Sequence, residues 1–391
     1  MNNVCDSKAY GKLVLILGLA GFVSAADNWF VSPSLSAIAA NFGISVAMTS
    51  SILTAYMIPY GFMQPVYGFF GDQHDKIKLL RMIIIGLAIG TGGSALSTSL
   101  PILCVLRVIT GFFAAGIIAL SLSVIGDTVP PEKQQIYVGK FMGIVFTGQG
   151  LSSGLGGILT RYVSWRGAFF FFAAFAIIAA ILLWTLPLVE TKTNRQNRNF
   201  LYQCKLAVLS PKGKIIFPLA FVAGLLLLGI YGYLGSFLNE HIHLNYMQSG
   251  IVVMFYGFAC LIGGSKIGKL ANRFGRKQVI IAGECWAMIS TILLICSFQI
   301  KSWPLALVAT VCLGFGYISI QSTLATMALD ITGECRGLPS GLIGFGLFCG
   351  GGIGSMIGSW LLLAGTYQTI WAIFGIALLL LIIITTKLSL E

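Results

Sequence analysis

The chain has 391 residues, of which 57% are hydrophobic and only 9% charged, with a formal net charge of +12. So little charge cannot clothe a water-facing surface of this size, which excludes a soluble globular protein. The positive excess forms no basic stripe interleaved with aromatics, so nucleic acid is not expected as a partner.

A membrane-spanning helix needs about 20 mostly apolar residues. Such stretches occur over 12–40, 46–71, 79–98, 101–127, 136–160 and 166–187, then over 215–238, 247–270, 278–299, 303–329, 337–364 and 367–386. Lys8, Lys12, the apolar run over 13–23 and Ser24-Ala25-Ala26 imitate a secretory signal peptide. The apolar pattern runs on through Trp29 and Phe30 to Ile38, which predicts a retained first helix. Between the two groups of six, residues 190–214 carry Lys192, Arg195, Arg198, Lys205, Lys212 and Lys214 and read as a hydrophilic linker, dividing the chain into units 1–189 and 215–391. The expected class is an all-α integral membrane protein of twelve transmembrane helices in two six-helix bundles. Its 48 glycines suit helices that pack backbone to backbone in lipid, and its nine scattered cysteines suit reduced packing positions.

The cations give the orientation. Twenty of the 24 Lys and Arg fall on the side of the N-terminus, among them Lys76, Lys133, the linker group, Lys266, Lys269 and Lys387; Arg161, Arg166 and Lys301 fall opposite, and Arg107 lies inside a helix. The positive-inside rule then predicts a multi-pass protein of the inner or plasma membrane with both termini cytoplasmic.

The two halves also repeat each other. Gly68, Asp72 and Lys76 follow the second predicted helix, and Gly268, Asn272, Arg273, Gly275, Arg276 and Lys277 follow the eighth, 200 residues later glycine to glycine. Asp127 and Asp330 end the fourth and tenth helices. A two-fold axis along the membrane normal is the expected relation.

With these residues the chain resembles the major facilitator superfamily, and its first half is most similar to the twelve-helix drug:proton antiporter branch. The loop after the eighth helix fits the family's G-x-x-x-[DN]-R-x-G-R-[RK] signature throughout, whereas the first copy has Gln73 and Asp75 in place of the arginine and second glycine. Arg107 and Gly111 resemble the R-x-x-x-G of the family's fourth helix. In the fifth helix Ser152-Ser153 stand where antiporter members carry glycine-proline. The resemblance implies alternating access, with the loop cations latching onto Asp127 and Asp330 at the cytoplasmic ends.

Ionisable residues inside spanning helices mark cavities, partners or proton sites. Asp27 lies 15 residues beyond Lys12 and Arg107 six residues beyond Pro101 on a helix running the other way. At 1.5 Å per residue, about 22 Å from one side and about 9 Å from the other, their depths match within a turn. Helices one and four line the central cavity in the resembled family, which implies proton coupling through Asp27, tuned by Arg107: burial favours the neutral carboxyl and the guanidinium favours the charged one. A fixed ion pair that sets helix packing is the other reading of the same two residues. Further cavity candidates are Asn28, Tyr56, Gln64 and Gln149 in the first half and Tyr231, Tyr233, Tyr256 and Gln321 in the second. Glu284, about two turns into its helix, is expected to reach basic groups at the cytoplasmic interface.

Other signals are discounted. Gly150-Leu-Ser152-Ser-Gly154 matches a nucleophile elbow, but falls in a transmembrane helix with no histidine base near it in sequence. His241 and His243 beside Glu240 are too sparse a ligand set to predict a metal, and no phosphate-binding loop occurs. No enzyme activity, cofactor or metal is expected. The expected partners are the lipid bilayer, protons and a small organic molecule, and nothing signals an oligomer, so a monomer is expected. The leading expectation is proton-coupled efflux of small organic molecules or drugs; the alternative is uptake or exchange of a metabolite such as a sugar, organic acid or siderophore. A membrane enzyme or scaffold is the third possibility.

Overall fold

A computed structural model of the chain describes residues 2–71, 74–187, 199–329, 331 and 337–388. The described residues are nearly all helical, as backbone groups in lipid require: with no water to bond to, each N–H and C=O must be satisfied within its own helix.

In chain order the α-helices are α1 (Asn2–Trp29), α2 (Leu35–Phe42), α3 (Val46–Thr49), α4 (Ser51–Phe70), α5 (Lys76–Ala95), α6 (Leu100–Ala114), α7 (Ile117–Thr128), α8 (Pro131–Tyr162) and α9 (Trp165–Trp184). Then follow α10 (Phe200–Leu209), α11 (Gly213–Glu240), α12 (Tyr246–Phe274), α13 (Arg276–Ile300), α14 (Trp303–Leu329), α15 (Gly337–Ala364) and α16 (Tyr367–Lys387). Among the described residues ten spans are long and apolar enough to cross a membrane, α6 and α7 counting as one. The α4 segment and the 32-residue α8, lowered in apolarity by its glycines and serines, complete twelve spans in two six-helix bundles.

Three boundaries depart from the sequence reading. The first span ends at Trp29, not near residue 40, because Pro33 sits in a 3-10 turn (Ser32–Ser34) and the chain restarts as the separate helix α2; Ser32–Phe42 and Val46–Phe70 are bent by 117° to each other. The fourth span is two helices, α6 and α7, broken at Ala115 and Gly116. The hydrophilic linker contains the helix α10, which the apolar pattern does not predict.

Across the two bundles, α4 packs on α15 and α8 on α12. These are second against eleventh and fifth against eighth spans, the reciprocal contacts that a two-fold repeat predicts. The α8–α12 contact is a glycine seam: a side chain at Gly257 would run into the backbone of Gly150, and one at Gly157 into that of Tyr246 and Gly250. Bare backbones let the helices approach where lipid gives no hydrophobic drive to associate.

Candidate functional site

Asp27 and Arg107 meet as the depth match predicts. Arg107 Nη1 lies 2.6 Å from Asp27 Oδ2, and both side chains are fully buried. Thr91 donates its hydroxyl to the other carboxylate oxygen at 2.8 Å, so Asp27 has a partner on each oxygen. The guanidinium lies over the ring of Tyr56, 4.3 Å from its centroid, with Phe169 at 5.6 Å. Aromatic faces attract a desolvated cation strongly, which helps hold the charge that the ion pair neutralises. Arg107 reaches this position because α6 comes very close to α4: at Gly111, one turn beyond Arg107, a side chain would strike the Tyr56 carbonyl.

The position of Asp27 in the last turn of α1 matters as much as its charge. A helix leaves its last carbonyls without helical partners, and Pro33 lacks the N–H that the Trp29 carbonyl would otherwise receive. Arg107 Nη2 donates to the Asp27 carbonyl at 3.0 Å. The Trp29 carbonyl accepts from the hydroxyls of Tyr231 and Ser153, each at 3.0 Å. One turn of helix thus carries the ion pair on one face and a bond to the second bundle on another.

That bond belongs to a closed end. The Ser32 hydroxyl lies 3.2 Å from the carbonyls of Tyr231 and Gly232 and accepts from the Gly235 amide at 3.3 Å. Pro33 packs where a side chain at Gly235 would be. Tyr233 donates to the Ser355 carbonyl at 2.5 Å and meets the Ser50 hydroxyl at 2.8 Å; Ser359 donates to the Ala47 carbonyl. The aromatic rings of Tyr231 and Tyr256 pack around Trp29 with centroids 4.3 and 4.9 Å away, the first edge-on and the second tilted.

Below this seal lies a cavity of about 810 Å³ between the bundles, running from Asn28, Trp29 and Gln149 to Gly71, Gly126 and Gln134 at the opposite helix ends. It therefore reaches the end of the molecule that holds the first turn of α5 and the α10 linker. Its wall combines Trp29, Tyr60, Tyr67 and Tyr317 with the carboxamides of Asn28, Gln64, Gln149 and Gln321, and none of its described lining residues is charged. The Asn28 amide nitrogen is buried without a hydrogen-bond partner among the described residues, a donor free for a guest. Of the eight cavity candidates, Asn28, Gln64, Gln149 and Gln321 are on this wall. Tyr56 lies under Arg107, and Tyr231, Tyr233 and Tyr256 are built into the seal and the packing beside it.

At the open end, Lys76 Nζ lies 2.5 Å from Asp127 Oδ2. Both belong to the first bundle, so in this conformation the pair ties α5 to α7. In the second copy, Lys277 donates to the Thr386 carbonyl at 2.8 Å and Arg273 lies 5.1 Å from the ring of Phe274. Gly275, with φ at +92°, is the hinge between α12 and α13, a conformation that glycine adopts without strain. Gly68 lines the cavity; Gly268 and Asn272 lie on α12, and Arg276 opens α13. Asp72 and Asp330 lie outside the described residues.

Glu284 corrects an expectation. It is fully buried and accepts from the Thr385 hydroxyl at 2.7 Å; among the described residues no basic group pairs with that oxygen, and the other oxygen has no partner. Position in sequence suggests basic groups at the cytoplasmic interface; the packing of α16 on α13 supplies a threonine 101 residues away instead. His241 stacks on Phe298 at 3.8 Å and uses its Nε2 on the Phe298 carbonyl at 2.9 Å, and Glu240 accepts from Tyr367.

Two bundles of six helices around one central cavity define a membrane transporter. The Major Facilitator Superfamily model matches residues 17–343 and 216–390, and the chain belongs to that family. It is 26% identical over 370 residues to the multidrug efflux pump SdrM of Staphylococcus aureus (strain N315), covering 80% of each chain. It is 26% identical to the multidrug export protein EmrB of Escherichia coli (strain K12) over 197 residues, half of this chain and 38% of that one. Among solved structures, a point mutant of the nucleoside transporter NupG superposes with a TM-score of 0.77 at 14% identity, over 96% of this chain and 99% of that one.

Proposed function

We propose that this transporter exports small, uncharged or weakly cationic organic molecules in exchange for protons, with Asp27 as the proton-carrying group. The observation that carries the reading is the Asp27–Arg107 pair at the end of α1, sharing one helical turn with the bond that seals the far end. While the pair is formed, Arg107 holds both the carboxylate and the Asp27 backbone carbonyl. Proton binding to Asp27 removes the charge that Arg107 is bonded to, and the last turn of α1 loses two of its anchors. The adjacent Trp29 carbonyl then loosens from Tyr231 and Ser153, and the seal parts as the cavity's open end closes. A cavity open on one side with the ion pair intact is the state expected of an exporter that has released its proton and awaits cargo.

The uncharged wall supports the cargo class. Aromatic faces and carboxamides bind planar, amphipathic guests, and a polyanion would find no described cation there to offset its desolvation. The similarity to SdrM and EmrB favours the same direction of transport. With both termini cytoplasmic, as the cation distribution implies, the cavity opens inward. The two units divided by the linker at 190–214 are the bodies that rock, and the Lys76–Asp127 pair keeps the first unit's open end rigid.

Proteoliposomes containing the purified protein and a fluorescent cationic dye test this reading. An imposed pH gradient should drive dye against its own gradient, and collapsing the pH gradient with a protonophore should stop it. Dye movement that follows only the dye's own gradient would refute the coupling.

A further inference from the structure

We propose that α10 is an interfacial helix that seats on the bilayer and binds the anionic lipid headgroups of the leaflet on the linker's side. The helix cannot drift freely. Phe200 packs against Phe69 at the end of α4, with ring centroids 5.2 Å apart, and Ala207 is fully buried. Ser210 closes the turn into α11: its hydroxyl accepts from the Gly213 amide at 2.9 Å, and a side chain at Gly213 would strike the Ala207 carbonyl. The helix is therefore fixed at the membrane end of two spanning helices.

Its outward arc is apolar. Leu201 is 73% exposed and Tyr202 61%, and Leu206, Val208 and Leu209 are each 40% or more exposed, although α10 is too short to cross a bilayer. A patch of this kind on a helix outside the spanning segments calls for a nonaqueous neighbour. Charge says which one. Lys205, Lys212 and Lys214 are exposed on and beside the arc, and no Asp or Glu occurs between 199 and 214. A lysine within the arc can lie along an apolar surface and lift its ammonium to headgroup level. Each lysine near an anionic surface favours the seated helix by about fivefold, so the three together distinguish anionic from neutral lipid.

The test places a nitroxide at Leu206→Cys in the full chain, with native cysteines replaced by serine, in nanodiscs of phosphatidylcholine alone or mixed with phosphatidylglycerol. In the mixed discs, collisions with membrane-dissolved oxygen should exceed those with a water-soluble nickel chelate. Lys205→Gln, Lys212→Gln and Lys214→Gln together should reverse that preference, while the same three changes to Arg should preserve it. Hydrogen exchange over residues 200–209 of the unaltered chain needs no cysteine replacement, and should be slower in mixed discs than in phosphatidylcholine. Nickel-dominated collisions in the mixed discs would overturn the proposal. So would low access to both reagents, the mark of a protein partner, or an equal response in both lipids and in the Gln variant.

Discussion

The hydroxyl of Tyr231 donates to the carbonyl of Trp29 across 202 residues of chain, at the one backbone oxygen that Pro33 leaves without a helical donor. The bond joins the two bundles two residues beyond Asp27. Any force on the last turn of α1 is felt at the seal.

Tyr231→Phe should therefore shift the equilibrium toward the conformation open at that end. A buried hydrogen bond contributes about 1 kcal/mol net, so the shift should be about fivefold. Spin labels at Asn41 and His243, both on the sealed side, should show a larger population of long distances by pulsed electron resonance in the variant than in the parent.

Gly111→Ala should destabilise the protein by about 1–3 kcal/mol, the usual cost of overpacking, because the added methyl meets the Tyr56 carbonyl rather than a movable side chain. Thermal unfolding in detergent measures the loss. Transport should fall too, since Tyr56 is displaced from beneath Arg107.

Lys76→Gln should cost little. Asp127 is 42% exposed although Lys76 is buried, so water screens the pair at the carboxylate and it contributes at most about 1 kcal/mol. The parent's stability advantage over the variant should shrink as salt rises, in melting curves recorded from low to high ionic strength.

Glu284→Gln should leave stability unchanged or raise it. The Gln amide oxygen keeps the bond from Thr385, and no described cation partner is lost. A drop of several degrees in melting temperature would instead reveal a cation on the carboxylate.

What could be read from the sequence follows what a sequence encodes. Asp27 and Arg107 stand out because charge in an apolar run is costly, and helical rise alone brings them to one depth. Rotation about a helix axis is not so encoded. Tyr231, Tyr233 and Tyr256 read as cavity residues, yet the turn of α11 and α12 sets them into the seal and its packing, while Gln149, Gln64 and Gln321 face the cavity. The end of α1 is hidden because Val31 before Pro33 and Leu35 and Ile38 after it continue the apolar pattern. The α10 helix is hidden because lysines on either side make its ten residues read as linker. Glu284 finds Thr385 through tertiary packing that no local spacing announces.

Transport on this mechanism is driven by the proton that Asp27 carries. Its most direct measurement is dye flux in proteoliposomes under an imposed pH gradient, comparing the parent with Asp27→Asn at matched protein content. The variant should still exchange dye down its own gradient and should lose uphill movement entirely. Full gradient-driven transport by Asp27→Asn would contradict the account.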